Sequence, residues 1–162
     1  MEPFFIIFKN IGTVYIRVAK MNIYLGSDHA GFGTKEKLKI FLEKKKIKFK
    51  DLGPDSEMPV DYLDYARKVA RKVVKEKGSR GILVCGSGTG MAIAANKVKG
   101  ARAVAAYDIY TAKMSRKDND ANILALRGRL FQLGKTKRII QAWLSTSFSG
   151  EERHKRRIRK IE

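Results

Sequence analysis

Cysteine is nearly absent: Cys85 stands alone among 162 residues. A single thiol excludes an internal disulfide framework and a cysteine zinc cluster. It fits a reducing compartment, so a cytoplasmic location is expected. Long apolar runs are missing too. The longest near the start, Phe4–Phe8, is too short for a membrane span and weak for a signal peptide. Acidic residues are few: 16 face 35 Lys and Arg, leaving a net charge of +19. That balance attracts phosphorylated metabolites, nucleic acid and anionic surfaces alike, and does not choose among them. Lys35, Lys37, Lys39, Lys44, Lys45 and Lys46 fall on helix patterns and read as a solvated basic surface. The chain shows no internal repeat and no low-complexity segment.

What is present is enough for one domain with a full-sized core, with 44% hydrophobic and 31% charged residues. Met21 is followed at once by Asn22-Ile23-Tyr24-Leu25-Gly26, a natural first strand. Met21 therefore reads as an original start. Residues 1–20 read as an extension: an added strand (Phe4–Phe8 or Val14–Val18), a cloning artefact or a misplaced start codon. Residues 21–162 form the single expected domain. In it strand patterns at Ile23–Leu25, Ile47–Leu52, Ile82–Val84, Ala103–Ala106 and Ile123–Leu126 alternate with helix patterns. Leu38, Phe41 and Leu42 stripe the first helix. Tyr62, Tyr65, Ala66, Val69, Ala70 and Val73 stripe the second. The third follows Gly90, and the fourth is expected near Ile109–Lys117. Ile139, Ile140, Trp143 and Leu144 mark the fifth, and a basic helix starts at about Glu151. Five alternations predict a three-layer α/β/α Rossmann-like fold around a five-stranded parallel sheet.

In such sheets ligands bind beyond the carboxyl ends of the strands. The stretch Cys85-Gly86-Ser87-Gly88-Thr89-Gly90-Met91 follows the third strand. Its glycines allow a tight turn with bare N–H groups aimed outward, which binds anions at a helix start. A thiol there ionises more readily than a free one. The loop is not a P-loop, because no Gly-Lys-Ser/Thr follows. It is a poor dinucleotide fingerprint despite Asp108 downstream, because Met91 stands where a third small residue belongs. A buried structural cysteine before a turn is the bland alternative. Asp28 and His29 follow the first strand, where the alternative is a helix N-cap beside a surface histidine. Asp118, Asn119, Asp120 and Asn122 lead into the fifth strand, and turn chemistry alone would explain them. Arg127 and Arg129 lie beyond it. Arg153 and Arg157 share one helix face, with His154 close by, an arrangement that suits a phosphate.

Together these residues resemble ribose-5-phosphate isomerase of type B, within the wider family that includes galactose-6-phosphate isomerase subunits. The resemblance runs from about Met21 to the C-terminus. It is carried by Gly26-Ser-Asp-His-Ala-Gly31, Asp61-Tyr62 with Asp64-Tyr65-Ala66, Ile82 to Lys97, Asn119-Asp-Ala-Asn122, and Gly150-Glu-Glu-Arg-His154. The family belongs to pentose phosphate metabolism and works without metal or cofactor. The resemblance implies that Cys85 moves a proton between C2 and C1. It implies that the N–H groups of Gly86, Ser87, Gly88, Thr89 and Gly90 hold the enediolate. Ser87 would help the hydroxyl proton transfers. Asp28 and Asn119 would bind sugar hydroxyls. His29, Arg129, Arg153, His154 and Arg157 are the candidates for the phosphate. Family members are dimers or tetramers with a shared site, so the segment from Asp118 to Arg129 is expected to serve a neighbour's Cys85.

Two departures matter. The family has histidine where this chain has Asp118, and that histidine opens the sugar ring. Free carboxyls are ionised at neutral pH, so aspartate is the weaker acid catalyst there. Some members replace the cysteine by a glutamate at the position of Met91. Here the cysteine is retained, which also separates the chain from the galactose-6-phosphate subunits. A six-carbon sugar phosphate of the allose 6-phosphate type stays open as substrate. A non-catalytic nucleic-acid or nucleotide binder is the alternative that the charge favours. Cys85, Asp28 and the arginine pair oppose it, so nucleic acid is not the expected partner.

Overall fold

The computed structural model describes residues 21–162 and, ahead of them, the backbone of two strands, β1 (Ile7–Asn10) and β2 (Thr13–Ile16). These two pair antiparallel with each other as a separate two-stranded sheet. They overlap the expected Phe4–Phe8 and Val14–Val18 only in part. The rest of 1–20 lies outside the described residues.

The main sheet holds β3 (Ile23–Ser27), β4 (Phe49–Asp51), β5 (Arg80–Cys85), β6 (Ala103–Ala105) and β7 (Ile123–Arg127). Its order is β4-β3-β5-β7-β6, and every pair is parallel. Among the described residues six helices accompany it: α1 (His29–Lys44), α2 (Tyr62–Lys75), α3 (Thr89–Ala95), α4 (Ile109–Lys117), α5 (Leu133–Ser145) and α6 (Glu152–Ile161). The three-layer Rossmann-like expectation holds.

Alternation along the strands divides the core in two. Ile23, Leu25, Ile82, Val84, Leu124 and Leu126 face α1, α4 and α5, through Leu38, Leu42, Ala112, Ile139, Ile140 and Trp143. Tyr24, Leu83, Cys85, Ile123 and Ala125 face α2 and α3, through Ala66, Val69, Ala70, Val73 and Met91. Both faces are covered, so the strands read as continuous apolar runs. Gly26 and Gly81 lie where a Cβ would sit 2.8 Å from Val69. The small residues let α2 settle close to the sheet.

One expectation fails at Lys35. It is 1% exposed, not a solvated surface lysine. Its ammonium pairs with Asp51 and donates to the Pro54 carbonyl at 2.8 Å. Burial alone would push Asp51 upward. Lys35, the Gly53 N–H and Lys39 outweigh it and hold the carboxyl below its ordinary value. No helix among the described residues is long and apolar enough to cross a membrane.

Candidate active site

The chain leaves β3 toward β4 on one side and continues through β5 on the other. The carboxyl ends of β3 and β5 therefore form the switch point at which open α/β sheets bind ligands. Cys85 ends β5 there and is 5% exposed. Its Sγ accepts from the Gly88 N–H at 3.1 Å. Gly88 has φ +88°, which favours glycine. A Cβ on it would also press on the Leu126 carbonyl carbon at 3.1 Å. The turn thus folds its own amide back onto the thiol while α3 leaves from Thr89. The Ser87 hydroxyl lies 2.7 Å from that of Thr89, and both residues are exposed.

Four neighbours frame this loop. From α1, Gly31 comes so near that a Cβ would stand 2.0 Å from the Val84 carbonyl oxygen. Beyond β7, the Gly128 N–H donates to the Cys85 carbonyl at 2.8 Å, and the Arg129 N–H donates to Gly86 at 3.2 Å. The Arg129 side chain lies where a Cβ on Gly86 would meet its Cδ at 3.6 Å. Beyond β6, the Tyr107 hydroxyl donates to the Ser87 carbonyl at 3.0 Å. The Tyr62 ring lies against Gly90. Sequence reasoning placed Tyr62 on the buried stripe of α2 and passed over Tyr107. Tyr62 is half-exposed at the loop instead. Gly90, just ahead of the expected helix and the second residue of α3, was the available signal, since a missing Cβ leaves room for a ring.

Asp28 is the N-cap of α1, and its carboxylate accepts from the Gly31 N–H at 2.8 Å. It takes the capping role, which holds Gly31 against β5. His29 opens the same helix, half-buried, with its Nδ1 3.5 Å from the Val60 N–H.

Asp118, Asn119, Arg153, His154 and Arg157 are elsewhere. The run Asp118 to Asn122 leads into the amino end of β7, not away from its carboxyl end. Gly81 pairs with Ile123 and Cys85 with Arg127. The two ends of the register are four residues apart, about 13 Å along the strands. The expected Asp118-to-Arg129 unit is therefore split: Arg129 stands by this chain's own Cys85 loop, and Asp118 to Asn122 do not. Asn122 is a fastener. Its amide accepts from the Arg102 N–H at 2.8 Å and donates to the Gly100 carbonyl at 2.9 Å. Exposed Asn119 gives its main-chain carbonyl to Arg102 and lines a groove with Arg102, Ser115 and Ile161. His154 is the one buried residue of α6 and lies 3.6 Å from Asp118. Arg153 and Arg157 are exposed, and Arg153 pairs with Glu151 at 2.7 Å. No group of three or more His, Cys, Asp or Glu among the described residues could hold a metal ion.

Residues 23–161 match the sequence profile of the ribose/galactose isomerase family. Ribose-5-phosphate isomerase B of Escherichia coli is 40% identical over 139 residues, covering 86% of this chain and 93% of that protein. A ribose 5-phosphate isomerase of Thermotoga maritima has a crystal structure with TM-score 0.84 and 45% identity, covering 88% of this chain and 97% of that one. Ribose-5-phosphate isomerase B of Mycoplasma genitalium, solved with bound ribulose-5-phosphate, gives TM-score 0.83 and 39% identity, covering 88% and 94%. A cysteine-bearing glycine turn at the switch point, on a sheet that these enzymes share, and a match along nearly the whole main domain lead to one conclusion: the chain belongs to the ribose/galactose isomerase family.

Proposed function

We propose that this enzyme interconverts ribose 5-phosphate and ribulose 5-phosphate through an enediolate, with Cys85 as the base. The observation that carries the reading is the placement of Cys85: buried, at the carboxyl end of a central strand, with its sulfur accepting from the Gly88 N–H of the turn that follows. The thiolate takes the proton from C2 of the open-chain aldose and returns it to C1. C1 is reduced as C2 is oxidised within one molecule, so no external electron acceptor enters the balance. Negative charge develops on the oxygens of C1 and C2. The amides of the Gly86–Gly90 turn are donors fixed before that charge appears, and such donors stabilise it without reorganisation. Ser87, exposed beside Thr89, serves the proton exchange between the two oxygens. Arg129, lying over Gly86, and His29 face the same edge and serve the phosphate.

A second copy of the chain completes the site in this reading. Asp118, Asn119, Arg153 and Arg157 stand at the far edge of the sheet from their own Cys85. A symmetric dimer that sets one edge against the other supplies both halves twice. Asp118 in place of a histidine leaves a six-carbon sugar phosphate as the second substrate to try. The test is an isomerase assay with ribose 5-phosphate and with allose 6-phosphate, repeated on Cys85→Ala. Turnover of ribose 5-phosphate by the wild type, lost in Cys85→Ala while the variant still binds a sugar phosphate, is expected. Substantial turnover in the variant moves the base elsewhere.

A further inference from the structure

We propose, resting on the isomerase reading, that His154 is the positioning residue of Asp118 and not a ligand of the substrate phosphate. His154 has its Nε2 closed off from solvent, and no hydrogen-bond partner among the described residues satisfies it. A phosphate oxygen cannot reach an atom that solvent does not reach. The nearest acidic group is Asp118, whose Oδ1 is 3.6 Å from that nitrogen. A phosphate brought to this point would meet a carboxylate first.

The surrounding charges isolate the pair. Asp120, the other acid of the loop, is taken by Arg102 at 2.9 Å and Arg116 at 2.7 Å. Glu151, one turn ahead of His154, is taken by Arg153. Among the described residues, no Lys or Arg lies within ion-pair distance of Asp118. The backbone also fixes both partners. Asp118 ends α4, with its N–H donating to Met114 at 2.9 Å. The Ser149 N–H donates to the Lys117 carbonyl at 2.9 Å, which brings the segment before α6 across the end of α4. His154 is then the only side chain of α6 driven inward.

A polar nitrogen left without a partner in such a place is costly unless something accepts from it. Asp118 is the available acceptor, and catalytic hydrogen bonds often tighten only when substrate binds. With Oδ1 held by Nε2–H, the second carboxylate oxygen, on a side chain 37% exposed, is presented outward in one orientation. That oxygen accepts the proton of the anomeric hydroxyl. The C1–ring-oxygen bond breaks as the C1 carbonyl forms, and the same proton passes to the departing ring oxygen. The enzyme ends with the protons it began with. A histidine at 118 would carry out this relay by itself; an aspartate needs its rotamer fixed, and His154 fixes it.

The test compares His154→Leu, His154→Gln and both changes in an Asp118→Ala background. Two readouts are taken: turnover of ribose 5-phosphate, which includes ring opening, and hydrogen exchange at C1 of ribulose 5-phosphate, which bypasses it. His154→Leu should lower kcat for ribose 5-phosphate about tenfold or more with KM nearly unchanged. Exchange at C1 should persist, and His154→Gln, which keeps a donor, should recover most of the loss. In Asp118→Ala the second change should cost nothing further. A raised KM at constant kcat, equal loss of exchange and turnover, or losses that multiply across the two sites would each overturn the proposal. A wild type inactive on every sugar phosphate would instead sink the isomerase reading. Urea unfolding of the two single variants and the double variant then still decides the contact: non-additive losses support it, and additive ones overturn it.

Discussion

At the residue scale, two side chains and one missing side chain set the edges of the site. The Lys35–Asp51 pair joins the first turns of α1 to the end of β4. Lys35 looked like one more surface lysine because a run of lysines hides the one that turns inward. Its spacing, three before Leu38, was the only mark. Asp51 is held below its ordinary value, so its contribution to stability is present at neutral pH. That contribution falls away as acid protonates the carboxyl in the folded chain. Urea unfolding should therefore show the chain weakening below about pH 4. In Asp51→Asn this acid limb should flatten, and an unchanged limb would assign it to other carboxylates. Gly31 is the missing side chain. A Cβ there would overlap the Val84 carbonyl, so Gly31→Ala must separate α1 from β5. A loss of about 3 kcal/mol is expected, measured by chemical denaturation. A smaller effect on stability than on turnover would show that the strain is relieved by moving the cysteine turn.

At the element scale, the sequence pattern carried most of the fold. The helix expected near Ile109–Lys117 occupies that span, and the structure adds its cap: Asp108 accepts from the Thr111 N–H at 2.7 Å. Strand centres were legible from their apolar runs. Their ends were not, because Gly26, Ser27, Arg80 and Gly81 pair through backbone and carry no apolar signal. Arg80 is the extreme case: 5% exposed, it donates to the Trp143 and Leu144 carbonyls. Burial, with Arg116 near by, pushes it down to about 9, which still leaves it charged at neutral pH. No pattern of hydrophobic periodicity marks such a residue. For α6 the exposed arginines divide by partner. Arg153 is engaged by Glu151, and Arg157 has no ion-pair partner among the described residues. If both meet the phosphate across a subunit boundary, Arg153→Ala and Arg157→Ala each remove a charge-assisted hydrogen bond worth about 1.5–3 kcal/mol. KM for ribose 5-phosphate should rise about ten- to a hundred-fold with little change in kcat. Unchanged KM in both would leave them as solvated surface.

At the scale of the whole molecule, the question is which residues can meet. The Cys85 half of the site was legible because glycine turns after strands have few purposes. The Asp118 half was legible as chemistry, and its lead into the fifth strand assigned it to a neighbour's Cys85; what sequence order hid is that Arg129, at the other end of β7, returns to this chain's own cysteine turn. Two halves at opposite edges make a subunit-mixing experiment decisive. Cys85→Ala and Asp118→Ala, each impaired alone, should regain activity when co-refolded. In a statistical mixture of dimers, about a quarter of the wild-type sites should be intact. Mixtures no better than the separate variants would mean that each chain uses its own residues only. Removal of residues 1–20 should leave turnover unchanged, since every site residue named lies after Met21. Loss of solubility on truncation would assign them a structural task.

The buried face of α5 offers a way to watch these events. Trp143 is the only tryptophan in the chain and is fully shielded from solvent. The guanidinium carbons of Arg80 and Arg116 stand 5.2 and 6.0 Å from the centroid of its ring. Arg116 in turn grips the Ala121 carbonyl at 2.7 Å and Asp120 in the loop that follows Asp118. The indole is thus wired to the amino edge of the sheet and not to the cysteine turn. Its fluorescence should register rearrangement of the 118–122 loop and stay silent when only the Cys85 turn moves, so one native fluorophore can separate the two halves of the proposed site in time.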